Sequence, residues 1–204
     1  MIFSRNPIKR HKQIFNIIAP IYGALDGYVK KGYRKAFKLI LNEVNLENKS
    51  VLDLGTGPGA WGALFKQHGA GKVHGVDFAK LMVKRAQKRY SPEITFSVGD
   101  ASNLSEFEDN SFDIVTASFM LHGFKRSYRE KILKEMKRIA REVIIINDYA
   151  YDTPLFMQFL EYMEKGDYIN FKKTFCDELK EHFPKVKREK ASGGTAVYFA
   201  YLEE

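Results

Sequence analysis

Three carboxylates and a glycine loop carry the most chemistry in this chain. Val51-Leu52-Asp53-Leu54-Gly55-Thr56-Gly57-Pro58-Gly59 is an apolar run that passes into three closely spaced glycines. Glycine suits a chain that turns sharply and lets a ligand approach its backbone more closely than a Cβ would allow. A second apolar run ends in Asp77 and a third in Gly99-Asp100-Ala101. A carboxylate at the end of the second strand of a nucleotide-binding unit can accept hydrogen bonds from both ribose hydroxyls of an adenosine. The loop spacing is G-x-G-x-G, whereas dinucleotide sites use G-x-G-x-x-G to seat a pyrophosphate on a helix N-terminus. Asp53 stands two residues before the first glycine. A carboxylate there repels a pyrophosphate and complements an ammonium group, so the loop favours a nucleoside that carries a cationic amino acid.

These residues need strands to present them and helices to cover the strands. From Lys49 onward, β-branched runs at 50–54, 72–76, 94–98, 112–117 and 143–147 alternate with helical patterns at 60–68, 79–90 and 125–141. The last helix has an apolar stripe of Ile132, Leu133, Met136 and Ile139. Alternation of this kind predicts an α/β fold, a doubly wound and mostly parallel sheet. Residues 9–44 read as two helices joined near 20–27. Helices are expected at 153–164 and 174–182, and strands at 185–190 and 196–201. Ser192-Gly193-Gly194 makes that last pair an antiparallel hairpin. The chain reads as one domain over 1–204: a helical cap at 1–46, a cofactor-binding core at 47–148, and an acceptor-side insertion with the hairpin at 149–204.

Taken together, Asp53 to Gly59, His74-Gly75-Val76-Asp77, Gly99-Asp100-Ala101 and Phe112-Asp113-Ile114-Val115 leading into Ser118 resemble the class I S-adenosylmethionine-dependent methyltransferases in order and spacing. The resemblance implies a Rossmann-like seven-stranded sheet with S-adenosylmethionine as cofactor and S-adenosylhomocysteine as product. It assigns Gly55, Thr56, Gly57 and Gly59 to the methionine part, with Asp53 favouring the ammonium. Asp77 would take the ribose, Asp100 and the Ala101 amide the adenine, Phe78 and Met82 the adenine faces, and Ser118 the amino-acid end through its backbone. Ile14-Phe15-Asn16-Ile17-Ile18-Ala19-Pro20-Ile21-Tyr22 is similar to the opening of the type 11, ubiquinone/menaquinone biosynthesis methyltransferases, with Asn16 and Gly23 in place of two acids. By that resemblance Tyr22 faces the cofactor carboxylate. Trp61, in the first turn after the loop, reads equally as packing.

Methyl transfer from a sulfonium is an in-line displacement, so the protein mainly aligns the reactants. A hydroxyl acceptor gains from a base, and His122 is the candidate, with Asp148 and Tyr149 near the same side. The single cysteine, Cys176, falls in a late helix and leaves no thiolate for pyrimidine attack. An Asn/Asp-Pro-Pro-Tyr/Phe sequence is missing after the fourth strand, and no His/Cys cluster has metal-ligand spacing. Tyr149, Tyr151, Phe156, Phe159, Tyr162, Tyr168, Phe171 and Phe175 suit a small aromatic or lipophilic acceptor, while Phe156 and Phe159 recur with Met163 at core-like helical spacing. The formal charge of +8, with Lys80, Lys84, Arg85, Lys88 and Arg89 on one helix, leaves an RNA or ribosome methyltransferase as an alternative, and a cofactor-binding protein without turnover as another. No apolar stretch approaches the ~20 residues of a transmembrane helix, and low cysteine use fits the cytoplasm.

Overall fold

A computed structural model of the chain describes residues 26–153 and 166–203. The opening helix α1 (Asp26–Glu43) is followed by β1 (Ser50–Leu54), α2 (Ala60–Gln67), β2 (Lys72–Asp77), α3 (Lys80–Tyr90), β3 (Thr95–Val98) and β4 (Phe112–Ser118). A 3₁₀ turn (Leu121–Gly123), α4 (Arg126–Ile139), β5 (Ala140–Tyr149), α5 (Tyr168–His182), β6 (Lys185–Lys190) and β7 (Thr195–Tyr201) complete it. The seven strands form one sheet in the order β3-β2-β1-β4-β5-β7-β6. The first five are parallel, and β7 runs antiparallel to both β5 and β6. This is the expected doubly wound sheet with its closing hairpin.

Strand alternation divides the core in two. One face carries Leu52, Leu54, Val115, Ile144 and Ile146 against Ile132, Leu133 and Met136 of α4 and Phe171 and Phe175 of α5. The other carries Val51, Ile114, Val143, Ile145 and Val197 against Phe37 of α1 and Trp61 and Phe65 of α2. Because β1 pairs with β2 on one side and β4 on the other, helices diverge to opposite faces between β1 and β4. A crevice at the carboxyl ends of the strands opens at such a reversal.

Most boundaries differ from the sequence expectation by one residue; the α4–β5 junction, the end of β5 and the start of the late helix differ by two or more. The helix expected to reach Arg141 ends at Ile139, and β5 starts at Ala140 with no loop between them. The ladder with β4 claims this stretch: Ala140 pairs with Phe112, and Arg141 reaches the Asp113 carboxylate at 2.5 Å. A long-range partner has overridden a continuous helical pattern. At the other end β5 runs on to Tyr149, because β7 pairs with it through Thr195. The late helix begins at Tyr168, so that Tyr168, Phe171, Phe175 and Leu179 form one buried stripe. Phe171 and Phe175 are therefore core, with ring centroids 4.2 Å apart, and do not line an acceptor pocket. The expected helix at 153–164, with Phe156, Phe159 and Tyr162, and the opening segment with Tyr22 lie outside the described residues.

Candidate active site

The glycine loop leaves β1 with positive φ at all three glycines: 66° at Gly55, 53° at Gly57 and 86° at Gly59. They have different surroundings. A Cβ on Gly55 would lie 2.7 Å from Met120 Cγ, and one on Gly59 would lie 2.9 Å from the Tyr90 ring. Gly59 thus lets α2 start tightly against α3. Among the described residues Gly57 is open: a Cβ there would meet nothing nearer than the Gly55 carbonyl at 4.0 Å. It is the glycine whose backbone a ligand can approach.

Asp53 sits beneath the loop, 1% exposed. Its Oδ2 accepts from the Thr56 hydroxyl at 2.6 Å and the Gly62 amide at 3.1 Å. Its Oδ1 is buried without a partner among the described residues. Burial raises the carboxyl to about 7, against the pull of those two donors, with a smaller push from Asp77. The Thr56 hydroxyl proton is spent on Asp53 and its amide on the Val76 carbonyl at 3.0 Å, so toward a ligand Thr56 keeps only acceptor lone pairs. Asp77, at the end of β2, accepts from the Gly57 amide at 2.8 Å and the Ala79 amide at 2.7 Å. Burial raises its pKa while these amides oppose the rise. It therefore clamps the glycine loop to β2, and each oxygen keeps a second lone pair for a ribose hydroxyl.

A pocket opens beside these residues, lined by Gly55, Val76, Asp77, Phe78, Gly99, Asp100, Ala101, Met120, Phe124, Tyr128 and Ile132. Asp100 Oδ1 accepts from the Ser102 amide at 2.9 Å, the Ser102 hydroxyl at 2.8 Å and the Tyr128 hydroxyl at 2.8 Å. Burial, first, and the nearby Asp100 push the Tyr128 phenol up to about 12. Of the cofactor residues expected from sequence, the pocket gathers Gly55, Asp77, Phe78, Asp100 and Ala101. Met82 lies half-buried on α3 and does not line it; nor do Asp53, Thr56, Gly57, Gly59 and Ser118, which lie on β1, in the glycine loop and at the end of β4. Sequence reasoning misses Met120, Phe124 and Tyr128. Their signal is weak: Tyr128 is one helical turn before Ile132 on the apolar stripe of α4, and Met120 stands two residues past Ser118. A broad depression bounded by Leu41, Glu43, Leu46 and His68 lies at the opposite ends of the strands and holds none of these residues.

At the exit of β4 the two sheet faces carry separate polar groups. On the α1 side, Asn147 Nδ2 donates to Ser118 Oγ at 2.9 Å, and Asn147 Oδ1 is buried without a partner among the described residues. The Tyr33 hydroxyl reaches Ser118, and burial holds that phenol well above its usual range. Trp61 donates to Thr116 Oγ1 at 2.9 Å from within the core, which makes it a packing residue. Phe119 follows at φ 49°, a strained conformation for a side chain of that size, with its amide donating to the Asn147 carbonyl. Its ring stacks on Tyr33 with centroids 6.0 Å apart and meets Tyr149 at 5.3 Å.

On the α4 side, His122 Nδ1 lies 2.6 Å from Asp148 Oδ1. Asp148 also accepts from the Tyr149 amide at 2.8 Å, the Leu121 amide at 3.1 Å and the His122 amide at 3.3 Å. Sequence offers His122 and Asp148 as separate candidates near one side of the site; the fold makes them a pair. Behind them, fully buried Arg129 of α4 grips Glu178 of α5 at 2.7 Å and Asp167 at 2.9 Å, fixing the start of α5. Among the described residues no group of His, Cys, Asp and Glu is placed to hold a metal ion.

Comparison with known proteins agrees with this geometry. Residues 51–142 match the family model described as a methyltransferase domain. The demethylmenaquinone methyltransferase of Renibacterium salmoninarum is 30% identical over 94% of this chain and 73% of its own length. That of Lactiplantibacillus plantarum is 33% identical over 70% of this chain and 64% of its own length. Among solved structures, a Thermotoga maritima S-adenosylmethionine-dependent methyltransferase, named as a possible histamine N-methyltransferase, superposes with a TM-score of 0.71 at 19% identity, covering 94% of this chain and 99% of that one. The glycine loop, the strand-end acids and this kinship lead to one assignment: the chain belongs to the class I S-adenosylmethionine-dependent methyltransferases, of the ubiquinone/menaquinone methyltransferase-like type.

Proposed function

We propose that this methyltransferase acts on a small lipophilic acceptor with an aromatic ring. Its residues fit the cofactor on the strength of one observation above the others: a buried, unpartnered carboxylate oxygen on Asp53 beneath a loop whose Gly57 backbone is open. A buried acceptor without a donor is costly unless a ligand supplies one. The α-ammonium of S-adenosylmethionine is such a donor, directly or through water.

In this reading Asp77 takes the ribose hydroxyls, Asp100 the adenine amino group and the Ala101 amide the adenine ring. Phe78 packs on the adenine, with Met82 beside it. The backbone of Gly55, Thr56 and Gly57 runs along the methionine part, Gly59 sets the turn, and Ser118 and Tyr22 serve the amino-acid end. S-adenosylmethionine, when bound, supplies a methyl group already activated on a sulfonium. The chain orients it against the acceptor and excludes water. Residues 1–46 act as a cap on a single domain, and 149–204 complete the acceptor side.

Two observations support a lipophilic aromatic acceptor. Phe119, Tyr33 and Tyr149 meet at the exit of β4. Relatives named for demethylmenaquinone, and one of Nostoc punctiforme named for 2-phytyl-1,4-naphtoquinone, share 30–33% of their aligned residues with this chain. A cytoplasmic location belongs to the same reading, supported by the single cysteine; among the described residues no helix is long and apolar enough to cross a membrane. Calorimetry with S-adenosylmethionine and S-adenosylhomocysteine tests the cofactor assignment, with binding in the micromolar range expected. Transfer of labelled methyl to dithionite-reduced naphthoquinones tests the acceptor; transfer only to bulk RNA would contradict it.

A further inference from the structure

Charge is sorted between the two faces of the sheet. Helices α1, α2 and α3 pack on one face through Phe37, Phe65 and Val83, and α4 and α5 pack on the other. On α3, Lys80, Lys84, Arg85, Lys88 and Arg89 are all exposed, the helix has no acid, and none of the five pairs with a carboxylate among the described residues. Arg34, Lys35 and Lys38 of α1 are exposed and unpaired in the same way. Helices α4 and α5 differ: Glu130, Glu135, Asp177, Glu178 and Glu181 stand among their cations, and Arg126, Arg129, Arg138 and Lys180 are held in ion pairs. Like charges one helical turn apart destabilise a helix. Lys80 with Lys84, Lys84 with Lys88 and Arg85 with Arg89 are such pairs, and nothing in the fold relieves them among the described residues. Leu81 is 48% exposed, at the spacing that puts it on one stripe with Lys84, Arg85 and Lys88, and Leu41 is 42% exposed one turn past Lys38.

We propose that the face built by α1, α2 and α3 docks on an anionic lipid bilayer. Phosphate headgroups supply the negative charge that the exposed cations lack, and the two leucines reach the boundary between headgroups and acyl chains. Among the described residues these helices expose leucine beside their cations and no aromatic side chain, which suits acyl chains and offers nothing on which bases could stack. The choice of lipid over nucleic acid also rests on the lipophilic acceptor proposed above. Helix α3 starts three residues past Asp77 at the carboxyl end of β2, so its first turn stands at the rim of the crevice. Docking by this face brings the crevice to the bilayer boundary, and a lipophilic acceptor then enters with little of its apolar surface passing through water.

Co-sedimentation of the full chain with vesicles tests this. Binding is expected to phosphatidylcholine vesicles that contain about 30% phosphatidylglycerol and not to phosphatidylcholine alone, and to weaken more than about tenfold between roughly 0.1 M and 0.5 M salt. Each cation near such a surface is worth about fivefold, so the triple variant Lys84→Glu, Arg85→Glu, Lys88→Glu is expected to lose at least about 100-fold. A triple of equal charge on the far face, Lys131→Glu, Lys134→Glu, Lys173→Glu, is expected to lose less than about fivefold, because those exposed residues lie beyond a Debye length from the lipid. Both triples are expected to bind S-adenosylmethionine within about twofold of wild type, which reports that they fold. No binding to anionic vesicles, equal binding to neutral ones, binding by the wild type that does not weaken with salt, or equal loss from the two triples overturns the proposal. So does tighter binding of single-stranded RNA than of vesicles at matched phosphate, lost in the α3 triple, which would assign the face to nucleic acid. Methyl transfer to reduced naphthoquinones by protein that ignores anionic vesicles overturns the docking and leaves the acceptor reading standing; docking without such transfer keeps the surface and removes that acceptor.

Discussion

The cofactor side and the acceptor side of the crevice are built by different means. On the cofactor side each key acid sits at or near a strand end and bonds mainly to residues close in sequence or in the neighbouring loop, the Tyr128 hydroxyl on Asp100 being the long-range exception. Asp53 binds Thr56 and Gly62, Asp77 binds Gly57 and Ala79, and Asp100 binds Ser102. On the acceptor side the pairs are distant: His122 with Asp148, Tyr33 with Phe119, Arg129 with Glu178. The first is a local motif that a strand and a turn can specify almost alone. The second exists only after β4, β5 and the helices have docked, and it can vary without disturbing the first.

That contrast is open to attack, and the largest effect should come from the distant set. Arg129→Met leaves Glu178 and Asp167 without their guanidinium in a buried site and is expected to cost about 3–5 kcal/mol in urea unfolding. If the two sides are separable, S-adenosylmethionine affinity changes by less than about threefold while the protein remains folded. Gly55→Val is the complementary break. Its φ of 66° and the Met120 side chain 2.7 Å from a Cβ there should displace the loop, lowering cofactor affinity by roughly 100-fold, about 2.7 kcal/mol, in calorimetry. Asp53→Asn removes the charge and keeps the shape; affinity should fall about 10- to 100-fold while stability shifts by less than ~1 kcal/mol. The smallest effect is Trp61→Phe, which loses one buried hydrogen bond to Thr116 and should cost about 1 kcal/mol, with affinity unchanged.

The same contrast explains what is legible in the sequence. The apolar run into Gly55, Gly57 and Gly59, with Asp77 and Asp100 at later strand ends, announces the sheet and the cofactor side, because strand, turn and helix signals there are local. Composition offers Phe171 and Phe175 as lining for an acceptor, and they are core: aromatic content does not say which face of a helix is covered. The pattern of helix 125–141 runs two residues too far because its end is decided by pairing of Ala140 with Phe112, far upstream. Neither the 2.6 Å contact of His122 with Asp148 nor the Tyr33–Phe119 stack has a sequence spacing that signals it. Tyr128 is hidden for a related reason, since its place on an apolar stripe looks the same whether its hydroxyl meets Asp100 or water.

The central claim is that Asp53 meets a cationic cofactor, and its titration gives the sign. Burial raises the carboxyl to about 7, above its ordinary 3.8. Between those values the folded protein holds a proton that the unfolded chain has lost, so this group makes the free protein less stable as pH rises from about 4 through about 7. An ammonium favours the ionised form, so binding expels the proton wherever it is still held. The decisive measurement is therefore calorimetric titration of S-adenosylmethionine into the wild type at about pH 6 and about pH 8, in buffers of different ionisation heat. Affinity about tenfold higher at the upper pH, with proton release at the lower pH that vanishes in Asp53→Asn, is the predicted result. No binding, or binding with neither pH dependence nor proton release, would contradict it.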